Sequence, residues 1–242
     1  MQGAVEGRRV GRVVGLWRYP VKSMAGEALS EVDVSWHGLA GDRRWAFVRD
    51  GVRQSGFPWL TLRERNDMNR YRPAFLEPTR PDKSPLVVTS PSGSVFDITD
   101  PALATELHPG GAQVIKQDRG IFDTFPLSLI STRTLTDLGE SVGIALDAMR
   151  FRPNFLIEAE GGDAFPEDGW LGGVLQIGSL RLRVDQRDGR CMVITLDPAT
   201  AERNPAVLRA VAQEREGCLG VYASTVQPGR VAIGDEVSLE SS

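Results

Sequence analysis

Cys191 is the residue of this chain whose side chain is best suited to chemistry. It is one of two cysteines in 242 residues, and Arg187 and Arg190 lie within four positions before it. Thiolate is the reactive and metal-binding form of cysteine, and nearby positive charge lowers the pKa that controls it. The pattern therefore indicates a nucleophile or a soft metal ligand; the alternative is a small buried hydrophobic residue.

Lys22 and Ser23 place an ammonium and a hydroxyl in a loop after a predicted strand. This combination suits a phosphate, because lysine acts as a point charge and hydroxyls and backbone amides donate hydrogen bonds. The glycine spacing of a P-loop is missing. The alternative is a surface turn with a solvated lysine.

Two further segments present arginines. Arg43 and Arg44 precede an apolar strand, and alternation along a strand predicts that one faces a site and the other meets solvent. Pro153 favours extended backbone geometry at Arg152, which would present Arg152 and Asn154 to a phosphate or a heterocycle. The alternatives are a charged strand entrance and a plain loop.

Two shorter stretches complete the set of polar candidates. Asp123 and Thr124 supply hydrogen bonds to a ligand or form an Asx turn. Gly189, directly before Arg190, predicts a flexible loop ahead of the cysteine.

Composition excludes several functions. The net charge is −4 and the pI is about 5.4, so we expect no nucleic-acid partner. Two cysteines make neither a disulfide framework nor a zinc pattern, and free thiols suit a reducing compartment. Met1 to Val10 lacks the apolar core of a secretory signal, and we find no apolar run of about 18 residues. We therefore expect a cytoplasmic protein with no membrane partner.

The elements that must position these residues are mostly short strands. Strands are predicted at Val10–Tyr19, Ala28–Trp36, Arg44–Val48, Tyr71–Leu76, Leu86–Thr89, Val95–Ile98, Phe155–Glu158, Val174–Ile177 and Leu180–Val184. Capping residues and apolar stripes predict helices at Pro101–His108, Arg133–Val142 and Pro205–Glu214. The fold class is therefore mainly β, of the β-barrel type, with a few peripheral α-helices. We predict two β-rich domains, 1–115 and 116–242, separated near Pro109-Gly110-Gly111.

Taken in order, these segments resemble the MOSC family with its N-terminal β-barrel partner, the family of the mitochondrial amidoxime reducing components and their bacterial relatives. The matching segments span nearly the whole chain: Tyr19-Pro20-Val21-Lys22-Ser23, Asp42-Arg43-Arg44-Trp45, Asp123-Thr124-Phe125-Pro126-Leu127, Arg152-Pro153-Asn154, Arg190-Cys191 with Thr195 and Asp197-Pro198, and Pro228-Gly229-Arg230-Val231-Ala232-Ile233-Gly234-Asp235.

The resemblance implies a molybdenum cofactor, a pyranopterin dithiolene that carries a phosphate, in a cleft between the two domains. It implies Cys191 as the metal ligand and catalytic residue, which suits a soft metal. Pyridoxal phosphate is not required. The cofactor-binding residues implied by the resemblance are Lys22, Ser23, Arg43, Thr124, Arg152, Asn154 and Arg190.

The implied activity is the two-electron reduction of small N-hydroxylated substrates such as amidoximes and hydroxylamines. Electrons would come from a separate ferredoxin, flavodoxin or cytochrome, because the chain lacks cysteines for an iron–sulfur cluster. Asp123 and Asp185 are candidate proton donors. One alternative is a protein that carries the cofactor or persulfide sulfur without turnover; another is a β-barrel binding domain with an inert Cys191.

Overall fold

The structure is a computed structural model that describes residues 7–52 and 56–240. The first six residues of the segment Met1 to Val10, in which no secretory signal is predicted, lie outside the described residues. None of the described helices has the length and apolar character needed to cross a membrane.

The described residues form sixteen strands and three α-helices. In chain order the elements are β1 (Gly7–Arg18), β2 (Glu27–Ala28), β3 (Glu31–Ser35), β4 (Gly38–Leu39), β5 (Trp45–Arg49), β6 (Arg72–Phe75), β7 (Leu86–Thr89), β8 (Val95–Asp97), α1 (Pro101–Leu107), β9 (Ala112–Lys116), β10 (Leu127–Ser131), α2 (Thr132–Val142), β11 (Phe155–Ala159), β12 (Val174–Ile177), β13 (Leu180–Gly189), α3 (Pro205–Arg215), β14 (Cys218–Gln227), β15 (Gly229–Ala232) and β16 (Glu236–Glu240).

Seven strands form a closed barrel, in the order β11-β10-β14-β13-β12-β16-β1, and β1 closes it by pairing with β11. Alternate residues of β13, namely Leu180, Leu182 and Val184, are buried in the interior. A small barrel of this kind is filled by side chains, which makes it a rigid support for residues at its rim. The prediction of a mainly β, barrel-type fold with peripheral helices is confirmed.

The remaining strands build smaller sheets beside the barrel. The pairings are β5 with β9, β6 with β7 and β8, and β3 with both β4 and β15. A second apolar core lies here, with Phe47, Met68 and Leu103 among its buried members. Because β1 and β3 pair with strands from the second half of the chain, the two halves share sheets. The predicted boundary between 1–115 and 116–242 stays a prediction.

Helices α2 and α3 pack together on a third apolar core against the barrel. Their ends follow local chemistry, because the side chains of Ser131 and Asn204 accept hydrogen bonds from backbone amides in the first turns, and Gly143 ends α2 in the left-handed conformation. Phe151 and Ile194 belong to this core and also line the cavity described below.

Candidate functional site

A cavity of about 280 Å³ gathers most of the residues selected from the sequence. Seven of the eight line it, although they come from five separate segments of the chain: Lys22, Ser23, Arg43, Thr124, Arg152, Arg190 and Cys191. The eighth, Asn154, is fully buried behind the wall.

Lys22 and Ser23 follow β1 in a loop that is fastened to the start of β5. The backbone amide of Lys22 donates to the carbonyl of Trp45 at 2.8 Å. Its ammonium donates to the carbonyl of Phe122 at 2.7 Å. Ser23 is in the left-handed region, with φ of 69°. The loop is therefore held in one conformation and presents its polar groups to the cavity.

The guanidinium group of Arg43 interacts with several neighbouring residues. It donates to Asp42 at 2.7 Å and to the carbonyl of Arg152 at 2.9 Å, and it forms an ion pair with Asp123 at 2.9 Å. Burial lowers its pKa, but the carboxylates of Asp42 and Asp123 outweigh burial and hold the pKa above its ordinary value. Arg43 is thus a permanently charged part of the wall.

The adjacent Arg44 points elsewhere, as predicted, but it does not meet solvent. It is buried and donates to the carbonyl of Asp118 at 2.6 Å. Strand alternation is not the reason for the separation, because both arginines precede β5. Arg43 has φ of 44°, and this left-handed turn directs the two side chains apart.

Arg152 is not extended, which makes that prediction wrong. Its φ is 54°, in the left-handed region. Tertiary contacts override the preference set by Pro153: the guanidinium donates to the carbonyl of Met24 at 2.7 Å and lies 4.3 Å from the ring centroid of Tyr19. Burial, together with the charge of Arg43, lowers the pKa of Arg152 to about 10.

Backbone strain is concentrated at this cavity. Six described residues other than glycine have positive φ, and three of them, Ser23, Arg43 and Arg152, line it. Each such conformation costs about 1–3 kcal/mol, and it persists only where the surroundings impose it. These three strained residues lie where polar side chains converge, and strained residues commonly cluster at binding sites.

Asn154 fixes the wall from behind. Its side-chain oxygen accepts from the amide of Ser128 at 3.1 Å and from Arg43 at 3.3 Å, and its amide group donates to the carbonyl of Trp17 at 3.2 Å. Asn154 therefore supports Arg43 and does not itself line the cavity.

The segment that carries the cysteine is ordered by β13. This strand runs through Gly189, which pairs with Cys218, so the prediction of a flexible loop is wrong. Arg190 donates to the carbonyls of Leu219 and Phe151, each at 2.8 Å. Cys191 follows as a free, half-buried thiol, directly before a short 3-10 helix over Met192–Thr195.

Sequence reasoning missed the role of Asp188 in the cavity wall. Its buried carboxylate pairs with Arg190 at 2.9 Å and accepts from the hydroxyl of Ser128 at 3.0 Å. Burial raises its pKa, although Arg190 opposes this. Tyr222 contacts the same carboxylate, and its own pKa is raised by burial and by Asp188. Only the position of Asp188 two residues before Arg190 hinted at this arrangement.

The two carboxylates considered as proton donors fall in different places. Asp123 lines the cavity, and the charges of Arg43 and Lys22 outweigh burial and lower its pKa. The ionised form of Asp123 is therefore favoured, which does not suit a donor. Asp185 forms an ion pair with Arg183 and does not line the cavity. Thr124, at the exposed mouth, donates its backbone amide to Asp123 at 2.8 Å.

Positive charge dominates the cavity. Six cationic side chains face two carboxylates, the cations being Lys22, Arg43, Arg63, Arg150, Arg152 and Arg190. Burial lowers the pKa of Lys22 as it does that of Arg152, and the cations outnumber the carboxylates of the lining. An anion bound here would relieve that excess.

The residues present fit a phosphate-bearing cofactor with a soft metal. Nη2 of Arg190 is buried and has no hydrogen-bond partner in good geometry within the described structure, despite its ion pair with Asp188. The thiol of Cys191 shares the cavity with the cations. No group of three or more His, Cys, Asp or Glu that could hold a metal ion occurs in the described part of the chain.

Two family models together match most of the chain. The model of the MOSC domain matches residues 116–238, and that of the MOSC N-terminal beta barrel domain matches residues 10–119. The chain belongs to the MOSC domain family. The solved structure of the YUAD protein from Bacillus subtilis has the same fold, with a TM-score of 0.53 at 14% identity, covering 98% of this chain and 100% of that chain.

Among individual relatives, the chain is similar to human mitochondrial amidoxime reducing component 2, with 26% identity over 95% of this chain and 84% of that protein. Mouse mitochondrial amidoxime-reducing component 1 is 23% identical, over 96% of this chain and 83% of that protein. A shorter match, 39% identical over 30% of this chain and 8% of the relative, is to the molybdenum cofactor sulfurase of Danio rerio.

Proposed function

We propose that this protein is a molybdenum-cofactor-dependent reductase of N-hydroxylated compounds. The observation that carries the proposal is one cavity in which a free thiol, Cys191, stands among six cationic side chains. The similarity to amidoxime reducing components supports the reaction class.

The chain's own residues would bind and orient the cofactor. Lys22, Arg43 and Arg152 would neutralise its phosphate, with the hydroxyl of Ser23 as a further donor. Thr124 at the mouth would donate to the pterin, while Asn154 acts through Arg43. Arg190 is held beside Cys191 by the carbonyls of Leu219 and Phe151, and Cys191 would ligate the metal through its soft sulfur.

The cofactor, when bound, supplies the electron transfer and oxygen acceptance that side chains lack. The reaction balances when the N–O bond breaks with two electrons consumed, the nitrogen gains one proton, and the hydroxyl gains a second proton and leaves as water. The electrons would come from a separate donor protein of the ferredoxin, flavodoxin or cytochrome type. Burial favours the protonated form of Asp188, which makes it the better-placed proton reservoir of the two carboxyls in the cavity.

The test is the reduction of benzamidoxime by protein produced in a host that makes the cofactor, with dithionite-reduced benzyl viologen as the electron donor. Molybdenum and pterin are measured on the same samples. We expect turnover by the native protein, near-native turnover by Cys218→Ser, and at least a hundredfold loss in Cys191→Ser with its fold retained. Cys218 is the matched control, because it is also free and half-buried but does not line the cavity.

Three results would contradict the proposal. Full activity of Cys191→Ser at normal molybdenum content would show that Cys191 is not the metal ligand. Absence of both molybdenum and pterin from the native protein would show that the protein does not bind the molybdenum cofactor. Stoichiometric cofactor without reduction of any N-hydroxylated compound would identify a carrier instead of a reductase.

A further inference from the structure

A second, larger cavity adjoins the first. Its volume is about 550 Å³, and Leu62, Arg150, Arg152 and Val193 line both cavities. Val193 lies two residues after Cys191, so the two spaces meet close to the thiol along the chain.

The larger cavity is also positively charged. Arg70, Arg72, Arg150 and Arg152 line it, with Asp147 as the single carboxylate on its wall. That carboxylate accepts from the backbone amide of Met149 at 2.8 Å, which is a local capping contact. Arg150 is paired with Asp197, and the other three cations against one occupied carboxylate favour an anionic ligand.

Two of these arginines have free side chains. Arg70 and Arg72 are exposed, and their guanidinium groups make neither a hydrogen bond nor an ion pair with any residue that the structure describes. Each can therefore present its planar fork to a carboxylate or phosphate, the geometry in which arginine binds most strongly. An arginine already paired with a carboxylate would have to release it before it could bind a ligand. Arg70 and Arg72 have no such partner to release among the described residues.

Arg150 also supplies a donor without a partner, and this donor is buried. Its side chain is about 4% exposed and is fixed by Asp197 at 3.0 Å and by the carbonyl of Thr195 at 3.1 Å. Its Nε is buried without a hydrogen-bond partner among the described residues. A buried donor that lacks a partner destabilises the protein, and a ligand acceptor would recover part of that loss.

The rest of the wall is mixed, with the polar side chains of Asn69, Thr89 and Ser90 beside an apolar part. Leu62, Val193 and Leu196 face the cavity together with Pro91 and Met149. Small-molecule sites combine such apolar lining with a few polar groups that fix orientation. The ligand suited to this cavity is therefore a small organic anion with an apolar body, rather than a free inorganic ion.

We propose that the larger cavity binds the anionic end of the substrate, so that the enzyme prefers N-hydroxylated compounds bearing a carboxylate or phosphate-type group. The proposal rests on the reductase function proposed above. The apolar body would lie along Leu62 and Val193, and the acidic group would be held by Arg70 and Arg72. These two arginines would set specificity without touching the reacting N–O bond.

The experiment compares three substrates that differ only at the para position: benzamidoxime, its para-carboxylate and its para-phosphonate. The cofactor-loaded full chain is assayed with a viologen donor, so no protein donor takes part. In the native protein we expect kcat/KM to be about tenfold or more higher for each anionic substrate than for benzamidoxime. In the double variant Arg70→Gln/Arg72→Gln we expect this preference to disappear through KM, with benzamidoxime changed less than twofold.

The matched control is Arg209→Gln, which removes an exposed arginine of α3 outside both cavities and leaves the preference intact. A preference for only one of the two anionic substrates would narrow the ligand to a carboxylate or a phosphonate and would still support the site. Equal kcat/KM for all three substrates in the native protein, or a preference that survives the double substitution, would overturn the proposal and leave the reductase function standing.

A second readout separates this proposal from the reductase function. The para-carboxylate compound is titrated calorimetrically into native and double-variant protein without any electron donor. If the loaded native protein reduces none of the substrates, the reductase function fails. In that case, weaker binding by the double variant still supports an anion site in this cavity, and equal binding by the two proteins refutes it.

Discussion

The side-chain oxygen of Asn154 accepts a hydrogen bond from Nη1 of Arg43 at 3.3 Å, and this contact joins residues 111 positions apart. Asn154 precedes β11 of the barrel, whereas Arg43 precedes β5 of a smaller sheet. The cavity therefore lies where two parts of the fold are joined by polar contacts. Its shape depends on a residue that does not line it.

Asn154→Ala should weaken both the fold and the anion site. The substitution leaves the amide of Ser128, the carbonyl of Trp17 and one donor of Arg43 without their partner. Buried groups that lose partners cost about 1–3 kcal/mol each, so we expect a loss of about 3 kcal/mol in the free energy of unfolding. Urea unfolding measures the loss, and sulfate titration of the cofactor-free protein measures the site.

Leu103→Ala is the control for destabilisation alone. Leu103 is fully buried in α1 and lies outside both cavities, and its truncation should cost about 3 kcal/mol as well. We expect this variant to keep native sulfate affinity while Asn154→Ala loses at least fivefold. Equal sulfate affinity in the two variants would show that Asn154 does not position Arg43.

The parts of the fold that could be predicted from the sequence are those set by local chemistry. The three predicted helices are present and capped by Asp100, Ser131 and Asn204, because a capping side chain bonds an amide two or three residues away. The turn at Gly178 joins β12 to β13, two strands that were predicted from the sequence. Barrel closure between β1 and β11 depends on partners about 150 residues apart and left no local signal.

The candidate site was predictable in its residue types but not in its backbone. Arg152 shows why: the residue before a proline prefers extended geometry, yet stacking on Tyr19 and bonding to Met24 impose positive φ. Asp188 shows a second limit, since its burial depends on Ser128 of β10 and Tyr222 of β14, which strand pairing in the barrel brings beside it. Strain and burial are both tertiary properties, and the sequence carries little trace of them.

Ser23→Thr should destabilise the protein, whereas Ser23→Gly should not. Ser23 has φ of 69°, a conformation that glycine adopts freely and that a β-branched residue tolerates poorly. We expect a loss of about 1–2 kcal/mol for threonine and a change within about 1 kcal/mol for glycine, measured by thermal unfolding. Threonine keeps the hydroxyl, so loss of that group does not contribute to its effect.

Ser35→Thr is the matched control, because Ser35 lies in the extended strand β3, where a branched side chain is favoured. That variant should be as stable as the native protein. If Ser23→Thr proved equally stable, Ser23 would not be strained.

Asp188→Asn should tighten anion binding, and the gain should grow with pH. Burial raises the pKa of Asp188, so at acidic pH its carboxyl is neutral and resembles the amide of asparagine. As the pH rises through that pKa, the native carboxylate repels an anion in the cavity and occupies Arg190, whereas the variant does neither. Sulfate stays a dianion across this range, so a change in its relative affinity reports on the protein. At pH 9 we expect at least tenfold tighter sulfate binding by the variant, because two unit charges about 4 Å apart interact by about 4 kcal/mol at an effective dielectric of about 20, sulfate carries two charges, and Arg190 offsets only part of the repulsion.

Calorimetric titration of the cofactor-free protein with sulfate between pH 5 and pH 9 measures this gain. Asp185→Asn is the control: Asp185 lies three residues earlier in β13, pairs with Arg183 and does not line the cavity. It should leave sulfate affinity unchanged at every pH. An affinity ratio for Asp188→Asn that stayed constant with pH, or the same gain from Asp185→Asn, would mean that the charge of Asp188 does not act on the bound anion. The predicted convergence at acidic pH follows from the sign of the shift, because a carboxyl with a raised pKa loses its charge first as the pH falls.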